Sequence, residues 1–286
     1  MKKHKITFIL ILFFFIGLLI LTYPMISDYF NQKTQSRVIT DYESLLNNIE
    51  IKDYSLEFDK AADYNNRLKD LANPLLTYDT LNDYNDILNI NSNGMMGYIT
   101  IDKIKVELPI YHGTSKDVLS TAVGHIEGTS IPVGGSYTHS VLSAHRGLPS
   151  SKLFTDLDKL EIGDIFTITV LDKVLTYEVD KISIVKPNEI DELKIDENDY
   201  VTLSTCTPYG INTHRLLVRG KRIENIEAKK KYITTEAFKI DNLIVTPLVA
   251  IPIILILLLI IVFKPVEKTK INIDKYIYPS KKEEKQ

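Results

Sequence analysis

The segment TLSTCTPYG, residues 202–210, contains Cys206, the single cysteine of this 286-residue chain. Cys206 follows the apolar run YVTLST, which indicates the end of a β-strand, and Thr207-Pro208 stops that strand because proline lacks an N–H. A lone cysteine is most often a small buried apolar residue. At a strand end it can instead be a nucleophile, provided that a histidine or a cation assists its thiolate.

Two of the six histidines lie where they could assist a thiol. His145 ends the run HSVLSAH and so also lies at a predicted strand end, whereas His214 follows Cys206 closely in NTHRLLV. Their spacing leaves both as candidate acid/base residues. The other four are more typical of structural or surface histidines: His4, His112, His125 and His139.

Arg215 begins the predicted strand after the one that carries Cys206. If the loop 207–214 joins these strands as an antiparallel pair, Arg215 lies opposite Cys206 at one sheet edge. A guanidinium keeps its charge and carries several donors, which suits the oxyanion formed when a carbonyl is attacked. A surface ion pair is the other interpretation. Arg146 is a weaker candidate than Arg215 for this role, because alternation along the strand points its side chain away from that of His145.

The elements that must position these residues are predicted to be strands. Short segments rich in β-branched and aromatic residues run from Gly97 onward: GYITI, VELPIY, HSVLSAH, IFTITVL, KVLTYEVDKISIV, YVTLSTC and RLLVRGKRI. Turn signals such as PVGG, RGLP and TPYG separate several of them. Residues 94–225 are therefore expected to form one mainly β domain, a barrel or sandwich.

The segment 27–93 is polar, with apolar residues three and four apart, which predicts helices. A solvated stalk or spacer is its simplest interpretation. Apolar runs without charge lie at both ends of the chain, Ile6–Ile26 and Leu243–Phe263, each close to the ~20 residues that a membrane-spanning helix needs. The first exceeds the usual apolar length of a signal peptide and no cleavage site follows it, so residues 1–26 are expected to be a leader and an uncleaved anchor, with a signal peptide as the alternative.

The topology follows from the charges at the N-terminus. Lysines at positions 2, 3 and 5 favour a cytoplasmic start. Two spans would then place residues 27–242 outside, including a linker over 226–242, and return the tail 264–286 to the cytoplasm. A buried core helix is the alternative for the second run.

Several classes of function find no support in the composition. The net charge of −3 gives no indication of nucleic-acid binding, and one cysteine excludes an intramolecular disulfide. The sequence has no Cys/His cluster with zinc spacing and no phosphate-binding glycine loop. We therefore expect no metal and no cofactor.

Three blocks of sequence resemble one known family. TLSTC with Arg215 nine positions later, preceded by SAHRG, resembles the sortases, membrane-anchored cysteine transpeptidases of Gram-positive bacteria. The blocks GYITIDKIKVELPIYHGTS, VGHIEGTSIPVGGSYTHSVLSAHRGLPSSKLFTDLDKLEIGD and TLSTCTPYGINTHRLLVRG are similar to class C, the pilus-assembling sortases. The resemblance covers roughly residues 94–223.

That resemblance implies an eight-stranded sortase-type β-barrel, with Cys206 as nucleophile, His145 as general acid/base and Arg215 as stabiliser of substrate and oxyanion. It implies a pilin or surface protein as substrate, with a C-terminal Leu-Pro-x-Thr-Gly-like sorting signal cleaved between Thr and Gly. The resulting Cys206 thioester would be resolved by a lysine amine of the next pilin.

One feature departs from class C. Its members share an N-terminal lid in which an Asp-Pro-aromatic motif covers the cysteine, and this chain has no such tripeptide. The nearest is Asn73-Pro74-Leu75, which supplies neither a carboxylate to Arg215 nor a ring over Cys206. We therefore expect no strong self-inhibition, with a lid of different chemistry as the alternative.

Three other functions are compatible with the same residues. A sortase that attaches surface proteins to a peptidoglycan amine would use the same motifs, as would a hydrolytic cysteine protease. A non-enzymatic, membrane-tethered module would require Cys206 to be inert packing.

Overall fold

The computed structural model describes residues 2–48, 53–225 and 254. Within them, eight strands form a closed barrel. The strands are β1 (Met95–Ile101), β2 (Val106–His112), β3 (Val123–His125), β4 (Thr138–Ser143), β5 (Ile165–Val170), β6 (Lys173–Val185), β7 (Asp199–Thr207) and β8 (His214–Ile223). The predicted eight-stranded, mainly β fold is confirmed.

The order of strands around the barrel is β1-β2-β3-β4-β7-β8-β6-β5. The β2–β3 and β4–β7 pairs are parallel, and the other neighbours are antiparallel. Because β4 and β7 are parallel and β8 returns beside β7, the ends of β4 and β7 and the start of β8 lie at one rim. This rim carries Cys206 and Arg215, and His145 follows the end of β4 there.

Alternating side chains fill the barrel interior. Leu203 of β7 and Val218 of β8 belong to the buried core, together with the stacked rings of Phe166 and Tyr177, whose centroids lie 5.6 Å apart. Burial of apolar side chains of this size is the main favourable contribution to folding. The wall around β7 and β8 is therefore a rigid support for the rim.

Within residues 2–48 and 53–225, four α-helices accompany the barrel: α1 (Lys2–Asn48), α2 (Ser55–Lys69), α3 (Pro74–Thr77) and α4 (Lys116–Thr121). Among the described residues, α1 is the one helix long and apolar enough to cross a membrane. The second apolar run, Leu243–Phe263, lies outside the described residues apart from Ile254, and so do the predicted linker 226–242 and tail 264–286.

The N-terminal helices are packed against the barrel. Tyr42 of α1 accepts a hydrogen bond from Leu171 N at 2.9 Å, and Tyr64 of α2 is fully buried. The side chain of Asn65 exchanges two hydrogen bonds with the backbone of Ile131, at 2.7 and 3.1 Å. The interpretation of residues 27–93 as a solvated stalk is wrong for the side of these helices that contacts the barrel. Buried tyrosine, phenylalanine and leucine side chains on that side belong to the barrel core.

Candidate active site

Cys206 and Arg215 are paired across β7 and β8. Cys206 is the penultimate residue of β7, Arg215 is the second residue of β8, and the antiparallel register places them directly opposite each other. Side chains in such a position have Cβ atoms about 4.5–5.5 Å apart. Both residues are half-buried. The predicted pairing of the thiol with a guanidinium at one sheet edge is confirmed.

The pair lies on the outer face of the barrel wall. The neighbouring residues Thr205 and Leu216 are buried, and Leu216 belongs to the core. Because strand side chains alternate between faces, Cys206 and Arg215 point away from the interior. Between residues 53 and 225, Arg215 donates one hydrogen bond, to the carbonyl oxygen of His214 at 3.2 Å, and forms no ion pair. Its charge is therefore available to a ligand.

His145 follows β4, the strand on the other side of β7. The ladder continues past the end of β4, since Ala144 N donates to Ser204 O at 3.2 Å and Thr205 Oγ1 donates to Ala144 O at 2.8 Å. Ala144 is a core residue, so alternation directs His145 to the outer face, beside Cys206 in the parallel register. The structure thus brings the three predicted site residues to three adjacent strand ends on one face.

His214 lies differently. It is opposite Thr207 at the end of the β7–β8 pair and contacts Thr213 Oγ1 through Nδ1 at 3.0 Å. As the neighbour of Arg215 on the same strand, it faces the opposite side of the sheet. Of the two candidate histidines, His145 is therefore the one that shares a face with Cys206.

The loops after His145 and Cys206 are in contact. Gly147 has a φ of +75°, and a Cβ added there would lie 2.9 Å from Cε2 of Tyr209. The guanidinium of Arg146 lies 5.8 Å from the centre of the Tyr209 ring and forms an ion pair with Asp158. Sequence reasoning missed Tyr209 and Asp158 as supports of the site; the glycine after His145-Arg146 was the signal that could have indicated the close approach.

The histidines judged structural make local contacts. His125 is fully buried, with Nδ1 2.9 Å from Tyr84 Oη and Nε2 2.8 Å from the carbonyl oxygen of Ser130. Its burial lowers its pKa to about 4. His139 is also buried, 2.7 Å from Thr202 Oγ1, and burial lowers its pKa. Their interpretation as structural residues is confirmed.

His112 has the same kind of role. Its ring nitrogens lie 2.9 Å from the carbonyl oxygens of Gly94 and Ile87, so it fastens the chain that precedes β1 to the end of β2. In the described part of the chain, no three His, Cys, Asp or Glu side chains are grouped as metal ligands would be.

The nearest equivalent of a lid, Asn73-Pro74-Leu75, packs on the connection between β3 and β4. Gly128 has a φ of +80°, and a Cβ there would lie 2.7 Å from the carbonyl oxygen of Pro74 and 2.8 Å from Cα of Leu75. Within residues 53–225, no hydrogen bond or ion pair joins this segment to Cys206, His145 or Arg215.

Comparison with known proteins agrees with this geometry. Residues 99–223 match the model of the sortase domain. Sortase D of Bacillus subtilis is 32% identical over 129 residues, which cover 44% of this chain and 62% of that protein. Sortase A of Streptococcus agalactiae is 32% identical over 129 residues, 43% of this chain and 51% of the relative. The chain thus spans less than two thirds of these curated relatives.

Solved structures cover more of the chain. Sortase C1 from Streptococcus agalactiae is 48% identical, with a TM-score of 0.61, and the alignment covers 66% of this chain and 100% of that one. A Clostridium perfringens sortase C structure with the C-terminal cell wall sorting motif is also 48% identical, with a TM-score of 0.58 and coverage of 66% and 100%. The chain therefore belongs to the sortase family and, by these neighbours, to its class C.

Proposed function

We propose that this chain is a membrane-anchored cysteine transpeptidase that cleaves a sorting signal and transfers the acyl group to an amine. The observation that carries the proposal is the arrangement of Cys206 opposite Arg215, with His145 on the adjacent strand end of the same face. A nucleophile, an acid/base and a fixed cation are the groups that acyl transfer through a thioester requires.

In the first step, Cys206 Sγ attacks the threonine carbonyl carbon of the signal. The carbonyl oxygen becomes an oxyanion, which the guanidinium of Arg215 stabilises. Collapse of this intermediate breaks the Thr–Gly C–N bond, and the proton that left the thiol passes by way of His145 to the glycine nitrogen. The products are a thioester on Cys206 and a released peptide with a free amine.

In the second step, an acceptor amine attacks the thioester carbonyl. His145 takes the proton that the amine loses, the C–S bond breaks, and the proton returns to the departing Cys206 sulfur. With a lysine ε-amine as acceptor, the new bond is an isopeptide. Splitting the exchange of one amide for another into two substitutions lowers the barrier of each.

The substrates that we propose are pilins with a Leu-Pro-x-Thr-Gly-like C-terminal signal, joined through a lysine of the next subunit. Similarity to class C sortases supports this choice, and one of the similar structures carries a C-terminal cell wall sorting motif. Surface proteins attached to a peptidoglycan amine are the alternative, and they would use the same first step.

We further propose the domain organisation that the sequence indicates. Residues 1–26 form the leader and membrane anchor, 27–93 the helical segment, and 94–225 the catalytic barrel. The linker 226–242, a second span over 243–263 and a cytoplasmic tail over 264–286 complete the chain. The length and exposed apolar surface of α1 support the first span, and the lysines at its start support an extracellular barrel.

The test uses the full-length protein purified in detergent, a peptide that contains Leu-Pro-x-Thr-Gly, and separate acceptors. The acceptors are an Nα-blocked lysine peptide, a peptidoglycan stem peptide with a free amine, and water alone. Mass spectrometry should show a covalent adduct on Cys206 and a donor–lysine product that the Cys206→Ala variant does not form. Exclusive joining to the stem peptide would support cell-wall anchoring, and exclusive hydrolysis would support a protease. Product formation by Cys206→Ala would overturn the mechanism.

A further inference from the structure

The loop that follows His145 is closed on itself by two hydrogen bonds. Phe154 N donates to the carbonyl oxygen of His145 at 3.2 Å, and Gly147 N donates to Thr155 Oγ1 at 3.1 Å. The position of the His145 backbone therefore depends on where the segment up to Thr155 is held.

That segment contains a strained residue. Leu153 has a φ of +40° and is 2% exposed. A positive φ in a bulky residue costs of order 1–3 kcal/mol and persists where neighbouring contacts determine it. One of those contacts is on the preceding residue, Lys152, whose backbone N–H donates to Asp28 Oδ1 at 2.7 Å.

Asp28 is one of three residues of α1 that bind this region. Asn31 Nδ2 donates to the carbonyl oxygen of Ser150 at 2.7 Å, and Gln35 Nε2 donates to the carbonyl oxygen of Thr121 at 2.6 Å and to Ser151 Oγ at 3.4 Å. Positions 28, 31 and 35 lie on one face of a helix. Gln35 is buried, so the contact is a packed interface.

The same helix carries the apolar run that ends at Ile26, just before Asp28. The part of α1 that meets the loop is therefore its first segment beyond the proposed membrane span. The other side of the loop faces the site, since Tyr209 covers Gly147 next to His145-Arg146. The loop thus connects α1 to the rim where Cys206 lies.

We propose that the membrane-proximal part of α1 is a positioning element for His145, with Asp28 and Asn31 as positioning residues. This inference rests on the proposed role of His145 in proton transfer. Asp28 and Asn31 fix the backbone of residues 150–152, and the closed loop transmits that position to His145. Neither residue touches the substrate in this proposal, so their loss affects turnover through the placement of the imidazole.

The test compares variants of the full-length protein in detergent. Asp28→Ala removes the acceptor for Lys152 N, Asn31→Asp replaces a donor by an acceptor facing a carbonyl, and Asp28→Asn keeps an acceptor oxygen. Thr34→Ala is the matched control, because Thr34 Oγ1 is exposed and donates within α1 to Phe30 O. We measure kcat and KM for cleavage of the sorting-signal peptide, and the rate of Cys206 alkylation by iodoacetamide across pH.

We expect Asp28→Ala and Asn31→Asp to lower kcat about tenfold with little change in KM, as misplacement of a catalytic group does. Both should also alter the pH profile of alkylation, while Asp28→Asn and Thr34→Ala resemble the parent. In a His145→Ala background, Asp28→Ala should have no further effect on alkylation. Unchanged kcat and pH profiles in both α1 variants would overturn the proposal. The proposal would also be overturned if kcat fell only together with the unfolding temperature and Asp28→Asn did not recover it.

Failure of the proposed function gives a different result. If His145→Ala alone keeps the parental kcat, the acid/base assignment of His145 is wrong whatever the α1 variants do. If His145→Ala is inactive while the α1 variants are fully active, the assignment stands and the positioning proposal fails.

Discussion

Thr205 donates its hydroxyl hydrogen to the carbonyl oxygen of Ala144 at 2.8 Å and so joins β7 to β4 one residue before Cys206 and His145. Both Thr205 and Ala144 are buried. A buried hydrogen bond between two strands at this point fixes the relative position of the proposed nucleophile and the proposed acid/base.

Replacement of Thr205 by valine tests this link, because valine keeps the shape and removes the hydroxyl. The carbonyl of Ala144 would lose its side-chain donor, which costs about 1–3 kcal/mol of stability. We expect kcat for cleavage of the sorting-signal peptide to fall by about tenfold as the two strand ends move apart. Thr205→Ser, which keeps the hydroxyl, is the control and should retain most of the turnover. Parental kcat in Thr205→Val would show that the bond does not position the site.

Arg215 should matter for turnover far more than for folding. Its guanidinium forms no ion pair among the described residues, so Arg215→Ala leaves no buried charge unpaired. We expect kcat/KM to fall by about 100-fold or more, the usual effect of losing an oxyanion donor, with an unfolding temperature close to that of the parent. Arg215→Lys should recover only part of the loss, because an ammonium lacks the planar fork. Arg37→Ala, an exposed arginine on α1, is the matched control, and a full-rate Arg215→Ala enzyme would remove Arg215 from the mechanism.

The segment Asn73-Pro74-Leu75 is expected not to restrict access to Cys206. Deletion of residues 60–90 would not test this, since Tyr64, Leu68 and Tyr84 are buried in the core. Gly128→Ala is more selective, because its Cβ would displace Pro74 and Leu75.

We expect this variant to change the rate of Cys206 alkylation by less than about twofold. Removal of a cover accelerates labelling only as far as the covered state is populated, and we expect this segment not to cover Cys206. Val133→Ala, in the same β3–β4 connection, controls for general loosening of that connection. A large acceleration confined to Gly128→Ala would show that a lid of different chemistry covers the thiol.

Burial of His125 makes stability depend on pH. Its pKa in the folded protein is about 4, below the ~6.5 of an unfolded histidine. The unfolded state therefore binds the proton first, and stability present above pH 6.5 is lost as the pH falls toward 4. The loss attributable to His125 is roughly 3 kcal/mol. The free energy of unfolding, measured with denaturant at pH 7 and pH 4.5, should differ less between the two pH values in His125→Gln, which does not titrate. An equal difference in parent and variant would show that His125 does not cause the pH dependence.

Local patterns predicted where Cys206, His145 and Arg215 lie, whereas the family resemblance was needed to favour His145 over His214 as the acid/base. Strand-ending signals at Cys206 and His145, and a loop of fitting length before Arg215, placed the three residues at strand ends. The closure of the barrel could not be predicted in this way, because it depends on which strands pair. The parallel β4–β7 pair is an example, since hydrophobic periodicity does not indicate it.

The contacts of the helices were not predictable in the same way. Asn65 and Asn31 are polar, and their sequence context indicates exposure to solvent. Their hydrogen-bond partners, Ile131 and Ser150, lie 66 and 119 positions away. A hydrogen bond at such a separation leaves no periodic signal in either segment. The same holds for Asp158, whose pairing with Arg146 depends on how the loop after His145 folds back.

The continuity of α1 has a consequence for the reach of the enzyme. An α-helix rises 1.5 Å per residue, so Gln35 lies about 14 Å along the axis from Ile26. Gln35 and Asp28 are both bonded to the loop after His145, so with Ile6–Ile26 as the proposed span, the rim that carries Cys206 would be held at a set height above the bilayer without a flexible tether. A donor and an acceptor of the proposed reaction would then both have to bring their reacting groups to that height, which would make the distance between a sorting signal and the membrane part of substrate selection.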